Sequence, residues 1–145
     1  MALTVKRITL WRTEVDNKPG VLANILGPLA NAGSDLKVVM GYRFPGNETK
    51  AAIEVYPVSG KKATSAASTA GLSASSIPTL LVEGDNRQGL GKEIAEALAE
   101  GEVNLGFLVT QVIGRRYSSV IGFESEEDAK TAASLIKKVT ARRRK

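Results

Sequence analysis

The sequence predicts an α+β fold built of two similar halves, each an antiparallel sheet covered by helices. Three observations predict it. First, the stretch Glu14-Val15-Asp16-Asn17-Lys18-Pro19-Gly20 returns 69 positions later as Glu83-Gly84-Asp85-Asn86-Arg87-Gln88-Gly89. Second, each copy follows an apolar extended run and precedes an apolar run with helical spacing. Third, each helix is followed by two extended runs joined by a turn and then by another helical run, so the order β-α-β-β-α occurs twice.

Composition narrows the chemistry. The chain has 145 residues, 43% of them hydrophobic, which suits one ordinary domain or two very small ones. No apolar run is long enough to span a membrane, and the start, from Met1 to Arg12, carries Lys6 and Arg7 and no apolar signal core. Cysteine is absent, which excludes disulfides and thiolate metal sites. Histidine is absent too, which removes the commonest general base and most zinc sites. No metal site or cofactor is expected, and a cytoplasmic protein is. The net charge is +5, but Lys137, Lys138, Arg142, Arg143, Arg144 and Lys145 hold six of the 20 basic residues. The remaining 14 face 15 acids, so the body is near neutral and residues 141–145 form a basic tail.

In the first half, residues 3–15 read as one long extended run. Leu3 and Val5 share one parity, Ile8 and Leu10 the other, so the run changes face and its two halves can serve different sheets. Pro19 suits the first position of a helix. Leu22, Ile25, Leu26 and Leu29 place one face of that helix in a core. Gly27-Pro28 is expected to kink or interrupt it, and Gly33 to close it in a left-handed cap. A strand from Asp35 to Arg43 follows. Pro45-Gly46 signals a type II turn, and Ala51, Ile53 and Val55 alternate in the returning strand. Ala63, Ala66, Ala67 and Ala70 mark a helix whose alanine face buries little area.

In the second half, 78–84 repeats the strand, and Leu90, Ile94 and Leu98 repeat the helix, closed by Gly101. Asn104 to Ile113 and Tyr117 to Phe123 form a hairpin about Gly114-Arg115-Arg116. Ser125 caps a last helix with Glu126, Glu127 and Asp128 in its first turn, and Ala129, Ala132, Ala133 and Ile136 as its buried stripe. At the common offset Gly20 maps on Gly89 and Asp35 on Asn104; Ile53 maps on Ile121, one residue short. Each unit lacks a fourth strand of its own. The early part of each long run, 3–15 and 73–84, is expected to complete the sheet of the other repeat.

The segment from Asp16 to Leu22, its helix and the following Asp35-Leu36 resemble the start of an ACT domain, and both repeats share the likeness. The resemblance implies a ferredoxin-like βαββαβ sandwich, with one repeat over 1–74 and a second over 75–140. It implies a stand-alone, non-catalytic regulatory protein that binds an amino acid or similar small metabolite at interfaces between repeats or subunits, and a homodimer. The matching ligand positions are Asp16, Asn17, Lys18, Gly20, Val21 and Asp35 in the first copy. In the second they are Asp85, Asn86, Arg87, Gly89, Leu90 and Asn104. Gln88 stands in place of Pro19, and Asp35 where the second copy has Asn104.

Elementary chemistry points to the same places. A helix N-terminus offers unpaired N–H groups and partial positive charge to a carboxylate. Asp16, Asp35 and Asp85 can meet an ammonium group, and Asn17, Asn86 and Asn104 can donate or accept. The bland alternative is that these residues only cap helices. Two other functions compete. An assembly module without ligand needs no further feature. A nucleic-acid-binding protein would rest on the basic tail alone, because the third strands, 50–55 and 118–123, lack base-stacking aromatics. Gly84 to Gly91 does not complete a phosphate loop or a dinucleotide fingerprint.

Overall fold

A computed structural model describes residues 3–143, with side chains through Val139. Arg144 and Lys145 of the basic tail lie outside the described residues. The elements run β1 (Thr4–Ile8), β2 (Trp11–Asp16), α1 (Val21–Asn31), β3 (Val38–Phe44), β4 (Asn47–Tyr56) and α2 (Lys61–Thr69). They continue β5 (Ser73–Ala74), β6 (Thr79–Asp85), α3 (Leu90–Glu100), β7 (Leu105–Ile113), β8 (Arg116–Phe123) and α4 (Glu126–Arg143). Among the described residues no helix is long and apolar enough to cross a membrane.

The chain forms two compact units, residues 9–76 and residues 1–8 with 77–145. They are the first and second repeat below. Each has a four-stranded antiparallel sheet, in the orders β3-β4-β2-β5 and β1-β6-β8-β7. The fourth strands are exchanged, as the change of face in 3–15 predicted. β1 pairs with β6 from Thr4↔Glu83 to Ile8↔Thr79, and β5 pairs with β2 at Trp11↔Ala74 and Arg12↔Ser73. The break falls at Thr9-Leu10. Val5, before it, packs on the core of the second repeat, while Trp11 and Val15, after it, pack on the core of the first.

In the first repeat the core joins Ile25 and Leu29 of α1, Ile53 and Val55 of β4, Ala67 of α2 and Leu72. The second core is the larger. It joins Leu90, Ile94 and Leu98 of α3 to Leu80, Val82, Tyr117, Ile121 and Phe123 of the sheet and to Ala129, Ala132 and Ile136 of α4. Size follows composition: α2 offers only alanines, each with little apolar area to bury.

Four local expectations are corrected. Pro19 does not start α1; Gly20, at φ 88°, occupies the cap and the helix begins at Val21. Pro28 does not interrupt α1, which runs on to Asn31. The proline forfeits one hydrogen bond, to the carbonyl of Asn24 on the exposed side. β3 begins at Val38, so Asp35 precedes it in a loop. Finally, Gly101 is not a left-handed cap: its φ is −82°, and Glu102 takes the positive φ of 56°. Glu102 stands 69 positions after Gly33, whose φ is 85°. A Cβ on Gly101 would lie 2.4 Å from Leu135 Cδ1 of α4, so any larger residue there makes that leucine change rotamer.

Candidate functional site

β2 delivers Asp16 to the mouth of α1. Its register partner on β4 is Lys50, and Lys50 Nζ lies 2.6 Å from Asp16 Oδ1. Lys50, and then the charge of Lys18, hold the Asp16 carboxyl below the usual carboxylate range. Asn17 is tied to the β3–β4 hairpin: its N–H donates to the Thr49 carbonyl at 2.9 Å, and Nδ2 to the Glu48 carbonyl at 3.1 Å. Gly20 then turns through a positive φ that disfavours any side chain. No side chain caps α1, so neither Asp16 nor Asn17 has the capping role that was their plainest alternative.

This junction opens into a cleft of about 240 Å³. One wall is Val15, Asp16, Asn17, Lys18, Val21 and Leu22; the other is Gly41, Tyr42 and Arg43 of β3 with Ala51, Ala52 and Ile53 of β4. The β3 and β4 residues were not singled out from the sequence. Gly41 was the available signal, because it interrupts the apolar positions of an edge strand. It pairs with Ile53, so it faces the helices, and a Cβ built on it meets nothing within 4 Å. The floor is apolar and the rim is charged.

The second junction repeats the backbone. Asp85 pairs with Arg116 in register and by an ion pair of 3.1 Å. The Asn86 N–H donates to the Arg115 carbonyl at 2.8 Å, and Gly89 takes a φ of 82°. No side chain caps α3. The side chains differ. Arg87 is ion-paired with Glu93 in the first turn of α3. Leu90 is 1% exposed and belongs to the core, so it offers no side chain to a ligand.

Register also corrects the mapping of β4 on β8. Because Asp16↔Lys50 corresponds to Asp85↔Arg116, Ala51 corresponds to Tyr117 and Ile53 to Ser119, not to Ile121. The second hairpin is shorter. Gly41 corresponds to Thr110, which pairs with Ser119.

Solved structures share this architecture. Protein BT0572 from Bacteroides thetaiotaomicron matches with a TM-score of 0.72 at 15% identity, covering 92% of this chain and 98% of that one. The ligand-free regulatory subunit of aspartate kinase from Thermus thermophilus matches with a TM-score of 0.63 at 16% identity, over 96% and 97%. The chain has the tandem ACT fold. Aspartokinase III from E. coli, solved in complex with aspartate and ADP, matches at 0.56 and 14% identity over 92% of this chain and 32% of that one. No family model and no curated sequence matches.

Each ACT repeat gathers most, but not all, of its expected ligand positions. Asp16, Asn17, Lys18, Gly20 and Val21 sit together, as do Asp85, Asn86, Arg87 and Gly89. Asp35 does not join them. Val38 pairs with Tyr56 while Asp16 pairs with Lys50, so β3 opens six residues along β4 from Asp16, about 20 Å away at the usual rise. There Asp35 pairs with Lys37 at 2.7 Å, which lowers the Asp35 pKa. Asn104 is separated likewise from Asp85, because Leu105 pairs with Phe123 and Asp85 with Arg116.

Proposed function

We propose that this tandem ACT protein is a non-catalytic, cytoplasmic regulatory module that binds an amino acid or similar small metabolite at the β2–α1 junction. One observation carries the reading: the cleft at that junction combines an apolar floor with charged groups of both signs and an uncapped helix start. An amino acid presents a carboxylate, an ammonium group and a side chain. The carboxylate suits Lys18 and the N–H groups of α1, the ammonium suits Asp16, and the side chain suits the floor. The regulatory aspartate kinase subunit from Thermus thermophilus supports a role in regulation by analogy of fold. Asp35 joins this site only if a second copy of the chain supplies it, in line with a homodimer. The ligand would act by favouring one packing of the repeats or subunits, to the extent that it binds that state more tightly.

A second reading, assembly without ligand, has its own observation. The edge strand β7 exposes Leu105, Leu108, Val109, Val112 and Ile113, the last at 68%, and carries no charged residue. An uncharged apolar edge invites pairing with another strand. Melting the protein against the twenty amino acids at millimolar concentration separates the readings. A ligand at about 100 times its dissociation constant stabilises by about 2.7 kcal/mol, a shift of several degrees. Ligand sensing predicts a selective shift that Asp16→Ala abolishes. A flat panel with concentration-dependent melting is the result for an assembly module.

A further inference from the structure

The two junctions share a backbone but not the side chains that line it. In the first repeat Ala51 and Gly41 line the cleft. In the second, the matching positions hold Tyr117 and Thr110. Tyr117 is 4% exposed and packs in one core cluster with Leu90, the counterpart of Val21. Thr110 Oγ1 lies 2.8 Å from Ser119 Oγ, so that hydroxyl already has a partner. The aromatic ring and the leucine take up the volume that alanine, glycine and valine leave open.

The cation at each mouth differs in the same sense. Arg87 is held by Glu93. At the position equivalent to Glu93 the first repeat has Asn24, and among the described residues Lys18 forms no ion pair, although its charge reaches Asp16. Lys18 therefore has its whole ammonium open to a carboxylate, whereas Arg87 commits one terminal nitrogen to Glu93 and keeps its buried Nε without a partner. Val15, Val21, Ala51, Ile53 and the open face of Gly41 are apolar, and Arg43, beside Ala51 on the same face, is paired with Glu48 at 3.8 Å.

We propose that the chain binds one ligand, in the cleft of the first repeat, that this ligand is an amino acid with an aliphatic side chain, and that Gly41 sets the size of the cleft. The second junction is its closed structural copy. This rests on the sensing role proposed above and adds stoichiometry, location and ligand class to it.

The test is amide NMR of the full chain titrated with L-isoleucine, with L-aspartate as the charged comparison. The expected result is saturable shifts at 15–22, 41–43 and 51–53 with L-isoleucine and none at 84–90 or 110–118. Gly41 is extended and open on the helix side, so Gly41→Val introduces a β-branched residue suited to a strand and fills the cleft from its wall. That variant keeps its dispersed spectrum and loses at least tenfold in affinity; the smaller Gly41→Ala loses less. Shifts at both junctions, saturation by L-aspartate alone, no response to L-isoleucine, or an unchanged affinity in a folded Gly41→Val would each overturn the proposal. The amino-acid melting panel tells the two failures apart. If it shows a bound amino acid while any of these results is found, sensing stands and the single aliphatic site falls; if it is flat, both fall.

Discussion

At the end of β2, Lys18 stands before a helix whose fourth residue is Asn24. At the end of β6, Arg87 stands before a helix whose fourth residue is Glu93. The loops are equal in length, both glycines are left-handed and both carboxylates pair with a cation across the sheet. One exchange, asparagine for glutamate, changes whether the loop cation is engaged. A second, Ala51 for Tyr117, puts a buried aromatic ring where the first repeat has a methyl group. The backbone of the junction and the side chains that line it are thus separable. The first is set by glycine and strand register; the second can vary without disturbing the fold.

The comparison breaks most easily at Tyr117. If its ring fills the second junction, Tyr117→Ala should cost about 3–5 kcal/mol. Val21→Ala, on the open wall of the first cleft, should cost about 1 kcal/mol or less. Urea denaturation measures both, and equal losses would mean that the junctions are packed alike.

A smaller difference lies on the other faces of the two sheets. Fully buried Glu54 accepts a hydrogen bond from the Tyr42 hydroxyl at 2.8 Å, with Arg12 Nε 4.0 Å away. The register equivalents are the buried Val120 and the exposed Gln111. Tyr42→Phe removes a donor from a buried carboxylate and should cost about 1–3 kcal/mol. Gln111→Ala should stay within about 0.5 kcal/mol. Thermal or chemical denaturation of the pair checks the contrast.

Copying the charge pattern of the second repeat into the first sharpens the account further. Asn24→Glu places an acid where Glu93 holds Arg87, so Lys18 gains a partner. Ligand affinity should fall about tenfold, the equivalent of ~1.4 kcal/mol, while an exposed pair changes stability by less than about 1 kcal/mol. Calorimetric titration of the variant measures the first, and its melting the second.

The smallest effect is on pH dependence. Lys50 lowers the Asp16 pKa in the folded chain. The stability this confers is fully present above the ordinary aspartate value, roughly 4, and is lost as pH falls through the lowered folded value. Melting temperature should therefore fall less steeply with acid in Asp16→Asn than in the parent chain between roughly pH 5 and 3.

The order of elements was legible because the repeat doubles each signal and periodicity is a property of neighbours in sequence. The exchange of fourth strands was legible too, since Leu3 to Leu10 changes parity within one run. What escaped depends on distant partners. Gly101 looked like a cap, but its φ is −82°, and the side chain packed closest to it is Leu135, thirty-four positions away. Pro28 looked like a break, yet α1 continues past it with one bond lost. The polar part of the cleft lining, Asp16 to Lys18, could be read from sequence because it is contiguous. Ala51 and Ile53 could not, because cross-strand register alone brings them beside that stretch, and Gly41 left only the mark of a glycine within an edge strand. Register likewise separates Asp35 from Asp16, which no local pattern announces.

The central claim is that two like junctions hold one site. Calorimetric titration of the full chain with an aliphatic amino acid such as L-isoleucine counts sites directly. The account predicts one bound molecule per chain. Two per chain, or none while another amino acid binds at the second junction, would contradict it.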